Sequence, residues 1–135
     1  MIIGVNFRKL HMEKRNSASG KIDINNNVSI KDIEESDFSL GKQKQKGLTF
    51  IFEFTSKYEP DVGDILFTGE LLYLGDQKTN EDILKGWKKG KNAPKEIMED
   101  VINTILTRCN IEALLLSRDI NLPPPVPLPK VKKEQ

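Results

Sequence analysis

The sequence is poor in the residues that build cross-links and metal sites. Its 135 residues include one cysteine, Cys109, and one histidine, His11. A single cysteine cannot form an intramolecular disulfide, and one cysteine with one histidine cannot complete a Cys/His metal site within one chain. The sequence also lacks a Gly-rich phosphate loop and a Ser/His/Asp set. We therefore predict no metal, no cofactor and no enzymatic activity.

An excess of charge of one sign is also missing. The chain has 21 Lys and Arg residues against 20 Asp and Glu residues, so its formal net charge is +1. A dedicated nucleic-acid binder usually carries a clear basic excess. This balance argues against nucleic acid as the main partner.

Long apolar runs are absent as well. No stretch approaches the roughly 20 residues that span a bilayer. The opening residues, MIIGVNFRKL, lack the basic leader and apolar run of a signal peptide. We therefore expect a cytoplasmic protein with no membrane span.

Alternating apolar residues predict four strands, at residues 2–14, 21–34, 48–55 and 65–74. The first strand changes parity after Phe7, and a bulge near Arg8–Lys9 would account for the change. The stripe Phe50, Phe52 and Phe54 is interpreted as core. Residues 35–46 are polar and are predicted to form a mobile hairpin loop.

Helical spacing predicts a short helix over residues 79–88, with Thr79 as a possible N-cap, and a long helix over residues 93–108. Strands followed by helices indicate an α+β fold. We expect a four-stranded antiparallel sheet with both helices packed on one face.

The end of the sequence is rich in proline. Residues 122–129 should form an extended segment, because proline fixes φ and removes a hydrogen-bond donor. This segment could bind an adaptor through its P-x-x-P spacing, but a structural strap is favoured. We expect residues 1–129 to form a single domain and residues 130–135 to form a disordered basic tail.

Two stretches resemble SecB, the family of protein-export chaperones, in a divergent, archaeal-type form. The run from 102 to 116 is similar to the end of the main SecB helix, and the run TGELLYLG at 68–75 is similar to its fourth strand. The equivalent positions are Ile102, Thr104, Arg108, Leu114, Leu116, Glu70 and Gly75. The predicted number and order of strands also agree with the family.

The resemblance implies an ATP-independent holdase that binds unfolded client polypeptides and assembles as a dimer or tetramer. The predicted client-binding residues are Ile111, Leu114, Leu116, Leu122, Val126 and Leu128. The helix residues Val101 and Ile105 are predicted at the oligomer interface, with ordinary core as the alternative. Pro-rich and charged residues stand where the family has a second C-terminal helix, so we expect that helix to be absent.

The resemblance also predicts roles for residues of the strands. Glu70 and Glu13 match acidic residues with which the family docks on the SecA motor, but Ser17 stands where a further acid is expected. We therefore expect a general chaperone role rather than docking on SecA. Leu66, Leu72 and Leu74 are predicted at the oligomer interface, and cover by the chain's own tail is the open alternative.

The alternative function is an interaction module that binds one specific protein or a nucleic acid. Its contact surface would be the lysine-rich stretch around Trp87, at Lys85, Lys88, Lys89 and Lys91. Phosphate contacts and one stacking aromatic side chain would suit such a surface. A solvated surface is the simpler interpretation.

Overall fold

The structure is a computed structural model that describes residues 1–17 and 20–125. Its elements are β1 (Ile2–Lys14), β2 (Asp23–Leu40), β3 (Gln43–Glu59), β4 (Gly63–Tyr73), α1 (Gln77–Gly90) and α2 (Lys95–Ile120). Among these residues, neither helix combines the length and the apolar character needed to cross a membrane.

The four strands form one antiparallel sheet in the order β1-β4-β3-β2. Strands β1 and β2 are therefore the two edges, and the helices follow the last strand. The predicted α+β fold with a four-stranded antiparallel sheet, a short helix and a long helix is confirmed.

The core lies on the face of the sheet that the helices cover. Phe50, Phe52 and Phe54 of β3 are at most 1% exposed, as the alternating pattern predicted. They meet buried residues of α2, such as Val101 and Ile105, within one apolar cluster. The other face of the sheet is open to solvent and is called the open face below.

A bulge in β1 determines which side chains of that strand lie on the helix-covered side of the sheet. The register shifts between Phe7 and Lys9, which confirms the bulge predicted near Arg8. Phe7 pairs with Gly69 and Leu10 pairs with Phe67, and both partners point toward the helices. The extra residue therefore places Phe7 and Leu10 on the same side of the sheet.

The hairpin predicted within residues 35–46 is present, but its loop is much shorter than predicted. Strands β2 and β3 continue through it and join at Gly41, whose φ of 65° suits glycine. Polar residues continue the hairpin, and oppositely charged side chains meet across it: Lys46 Nζ lies 3.6 Å from Glu35 Oε1.

Both helices are longer than the sequence predicted. Helix α1 is capped by Asp76 rather than Thr79, because the Asp76 carboxylate accepts a 2.7 Å hydrogen bond from the Thr79 N–H. Helix α2 continues beyond residue 108 and ends where Asn121 adopts a left-handed conformation. The buried stripe also continues, through Ala113 and Ser117, so packing supports the added turns.

The chain then crosses one end of the sheet as an extended segment, the strap (residues 122–125). Leu122 packs against Gly63 of β4. The Tyr58 hydroxyl of β3 donates to the Pro123 carbonyl, and the Asn26 amide of β2 donates to the Pro125 carbonyl at 2.8 Å. The described part of the proline-rich segment is thus attached to three strands in turn. The predicted tail at 130–135 lies outside the described residues.

Candidate interaction surface

Helix α2 lies alongside the edge strand β1. The Arg108 guanidinium lies 5.9 Å from the centroid of the Phe7 ring, and Lys14 Nζ lies 3.5 Å from the Asn121 carbonyl oxygen. The earlier residue of β1, Phe7, contacts the earlier residue, Arg108, and the later residue, Lys14, contacts the later one, Asn121. Helix and strand therefore run in the same direction along this edge.

Three large apolar side chains are exposed between those two contacts. Ile111 and Leu115 of α2 are each 49% exposed, and Leu10 of β1 is 45% exposed. Ile111 and Leu115 follow Arg108 by three and seven residues, so they share the side of the helix that faces β1. We call Leu10, Ile111 and Leu115 the edge surface.

The edge surface lies beside free backbone. β1 pairs with β4 on one side only, and no other strand of the described residues pairs with its outer side. Unpaired N–H and C=O groups of an edge strand are a template for another chain. The opposite edge, β2, carries the polar run Asn25–Asn27.

The predicted client-binding residues do not form one surface. Ile111 is exposed and belongs to the edge surface, while Leu114 and Leu116 are half-buried. Leu122, the first residue of the strap, is only 5% exposed because it packs against Gly63, and it is therefore removed from the client-binding set. Val126 and Leu128 lie outside the described residues.

The predicted interface residues divide into two groups. Val101 and Ile105 have no exposed surface, because α2 packs them onto the sheet of the same protomer. They are core residues, and the prediction that they contact another subunit is corrected. Leu66, Leu72 and Leu74 are half-buried, and Leu66 and Leu72 lie on the open face of β4.

The two predicted motor-docking acids lie on the open face. Glu70 is paired with Arg8, whose guanidinium nitrogen lies 3.1 Å from each carboxylate oxygen. Glu13 lies beside His11 and Arg15 at the end of β1. Docking through these residues stays a prediction.

The alternative surface around Trp87 is partly occupied by the protein itself. The indole N–H donates to Asp32 Oδ1 at 3.2 Å, and Lys91 Nζ lies 5.9 Å from the centroid of the ring. Lys91 covers a face of the indole that a nucleotide base would use for stacking. This arrangement favours a structural role for Trp87.

Sequence reasoning missed Leu10 and Leu115 as surface residues. Leu115 was predictable from the sequence if the helix is extended past residue 108. Arg108, Ile111 and Leu115 are then spaced so that they share one face of the helix. The exposure of Leu10 follows from the bulge and from the place of β1 at the edge of the sheet. Strand order could not be read from alternation alone.

Comparison of the chain with protein-family models, with curated proteins and with solved structures finds no match.

Proposed function

We propose that the protein is a cytoplasmic, non-enzymatic holdase of SecB-like type, which binds unfolded polypeptides without ATP or a cofactor. The observation that carries the proposal is the edge surface of Leu10, Ile111 and Leu115 beside the free edge of β1. It supplies apolar contacts and backbone hydrogen-bonding groups in one place.

An unfolded client offers those same two features to its surroundings. Its main-chain groups can add a strand to an exposed sheet edge, whatever its sequence. Its apolar side chains can then contact the edge surface without a fixed polar pattern, which suits a binder of many clients.

The proposal is tested by suppression of aggregation. Light scattering of several unrelated denatured proteins is measured with the wild type and with the double variant Ile111→Asp and Leu115→Asp. We expect the wild type to suppress scattering without ATP and the double variant to lose most of that activity, because both charges lie on the client surface. Asn103→Asp, at an exposed position on another side of α2, is the matched control.

Three results would contradict the proposal. The wild type may fail to suppress aggregation of any client, which is the behaviour of a specific binder. A folded double variant may suppress as well as the wild type. Salt-dependent retention on DNA or RNA, without suppression, would favour the alternative Trp87 surface instead.

We further propose that the holdase is a homo-oligomer, a dimer or a tetramer. Leu66 and Leu72 support this, since they place half-buried apolar side chains on the open face of the sheet, away from both helices. Contact with a second copy of the chain would bury the exposed parts of these side chains, and burial of apolar area is favourable. Export remains one setting for the activity, and docking on SecA is not required for it.

A further inference from the structure

Three potential metal ligands meet on the open face, at the end of the β1–β4 pair. His11 and Glu13 are two residues apart on β1, so their side chains share a face. Asp64 of β4 is the direct partner of Glu13 across the strands. Their positions are therefore fixed by the sheet rather than by a loop.

The distances between the ligand atoms are informative. His11 Nε2 lies 3.6 Å from Glu13 Oε2 and 3.6 Å from Asp64 Oδ1. All three atoms lie within 4.8 Å of one another. Hydrogen bonds of this kind would be shorter, at about 2.7–3.2 Å. Two ligands of a tetrahedral Zn²⁺ ion with bonds near 2.0–2.1 Å lie about 3.4 Å apart, close to the two distances from His11 Nε2.

Arg15 orients both carboxylates from outside the cluster. Its Nη1 lies 3.2 Å from Asp64 Oδ2 and 4.0 Å from Glu13 Oε1. These are the oxygens that do not face His11. Arg15 is held in place in turn by Asp61, which accepts a 2.6 Å hydrogen bond from its Nε. Such outer partners are a regular feature of metal sites, where they fix the direction of the ligands.

One oxygen of the cluster lacks a partner. Asp64 Oδ1 is enclosed from solvent and accepts no hydrogen bond, whereas Asp64 Oδ2 interacts with Arg15. Leaving an enclosed carboxylate oxygen unsatisfied costs free energy. A cation between Asp64 Oδ1 and His11 Nε2 would satisfy it.

We propose that His11, Glu13 and Asp64 bind one divalent transition-metal ion, of which Zn²⁺ is the representative. This proposal departs from the expectation of no metal, which considered a Cys/His site and not a histidine combined with two carboxylates. An imidazole with two carboxylates suits zinc and its neighbours better than magnesium or calcium, which prefer oxygen ligands. Water completes the coordination. The site lies on the open face, apart from the edge surface, and does not depend on the proposed holdase activity.

The test is a Zn²⁺ titration of the full chain, followed by calorimetry and by NMR of the imidazole. The chain has one histidine, so its ring signals are assigned without ambiguity. We expect one ion per chain and a shift of the His11 Nε2 signal. Glu13→Gln and Asp64→Asn should each weaken binding by at least about tenfold, since even outer-shell changes cost that much. Glu53→Gln, on the same face at β3, is the control and should bind as the wild type does.

Two outcomes would overturn the site. The first is that the His11 signals do not change during the titration, whether or not zinc binds. The imidazole is then not a ligand. Alternatively, His11→Ala keeps the stoichiometry and affinity of the wild type. Circular dichroism of each variant separates loss of a ligand from loss of the fold.

Discussion

Tyr58 links the strap to the sheet through its hydroxyl group. The ring is 1% exposed, and the hydroxyl donates to the Pro123 carbonyl. Tyr58→Phe leaves that carbonyl without this donor, so we expect the free energy of unfolding to fall by about 1 kcal/mol. Urea denaturation measures the change. Tyr73→Phe is the control, because within the described residues the Tyr73 hydroxyl makes no hydrogen bond. An equal loss in both variants would contradict the role of the Pro123 contact.

The same residue predicts a dependence on alkaline pH. Burial raises the pKa of Tyr58 from 10.0 to about 12. Because the folded-state pKa lies above the unfolded value, the stability that it contributes is fully present below pH 10 and is lost as the pH rises toward 12. Melting temperatures between these pH values should fall less steeply in Tyr58→Phe than in the wild type. Parallel curves would show that other groups control the transition.

Cys109 should be chemically inert in the folded protein. Burial, and to a smaller extent the charge of Glu112, raises the pKa of its thiol to about 12. The reactive species is the thiolate, and its population at neutral pH is therefore very small. We expect a thiol reagent to react slowly with native protein and rapidly after addition of urea. Fast reaction without denaturant would place Cys109 at an accessible site.

At the scale of single elements, α1 depends on its N-cap. The Thr79 N–H donates to the Asp76 carboxylate and holds the pKa of Asp76 below its ordinary value. Asp76→Ala should lower the melting temperature, whereas Asp76→Asn should keep most of it, because asparagine also caps helices well.

The pH dependence of this cap has a definite sign. A depressed carboxyl pKa gives stability that is present above the unfolded value and is lost as the pH falls through the folded value. The wild type should therefore lose the advantage of the cap in acid, and Asp76→Asn should not. Thermal unfolding at neutral and acidic pH checks this. An equal acid response in both proteins would contradict the role of the charge.

The elements also show how far the sequence predicts the structure. Phe50, Phe52 and Phe54 alternate cleanly, so their strand and their burial were predictable. The bulge at Arg8 was predictable because it changes the parity of apolar residues. By contrast, β2 and β3 extend through polar residues whose strand pairing depends on cross-strand partners, such as Asp37 and Lys46. The alternation of apolar and polar residues along one strand does not show which residues of the neighbouring strand lie opposite.

The candidate surface was harder to predict than the fold. Ile111 was identified, but Leu122 was assigned to the surface although it is buried. Nothing in a proline-rich segment tells which residue turns inward when the segment crosses the end of a sheet. Leu10 is recognised as an exposed residue only from the structure, which places β1 at an edge of the sheet.

At the scale of the whole molecule, the prediction concerns assembly. If Leu66 and Leu72 lie between subunits, replacing both with glutamate should convert the oligomer into monomers, because buried charge without a partner is costly. Sedimentation or light scattering of the native particle measures the mass. Asn27→Glu, at an exposed position on the open face of β2 opposite Thr55, is the control. A monomeric wild type, or a double variant with unchanged mass, would contradict the proposed interface.

The strap is synthesised after the strands that it contacts. Residues 122–125 follow β1–β4, α1 and α2 in the chain, yet they bind Tyr58 on β3 and Asn26 on β2. During synthesis on the ribosome, the nascent sheet can pair before these residues emerge, but it lacks their contacts. A released chain that ends at Asn121 should therefore be cleaved by proteases more readily than a released chain that extends through Pro125.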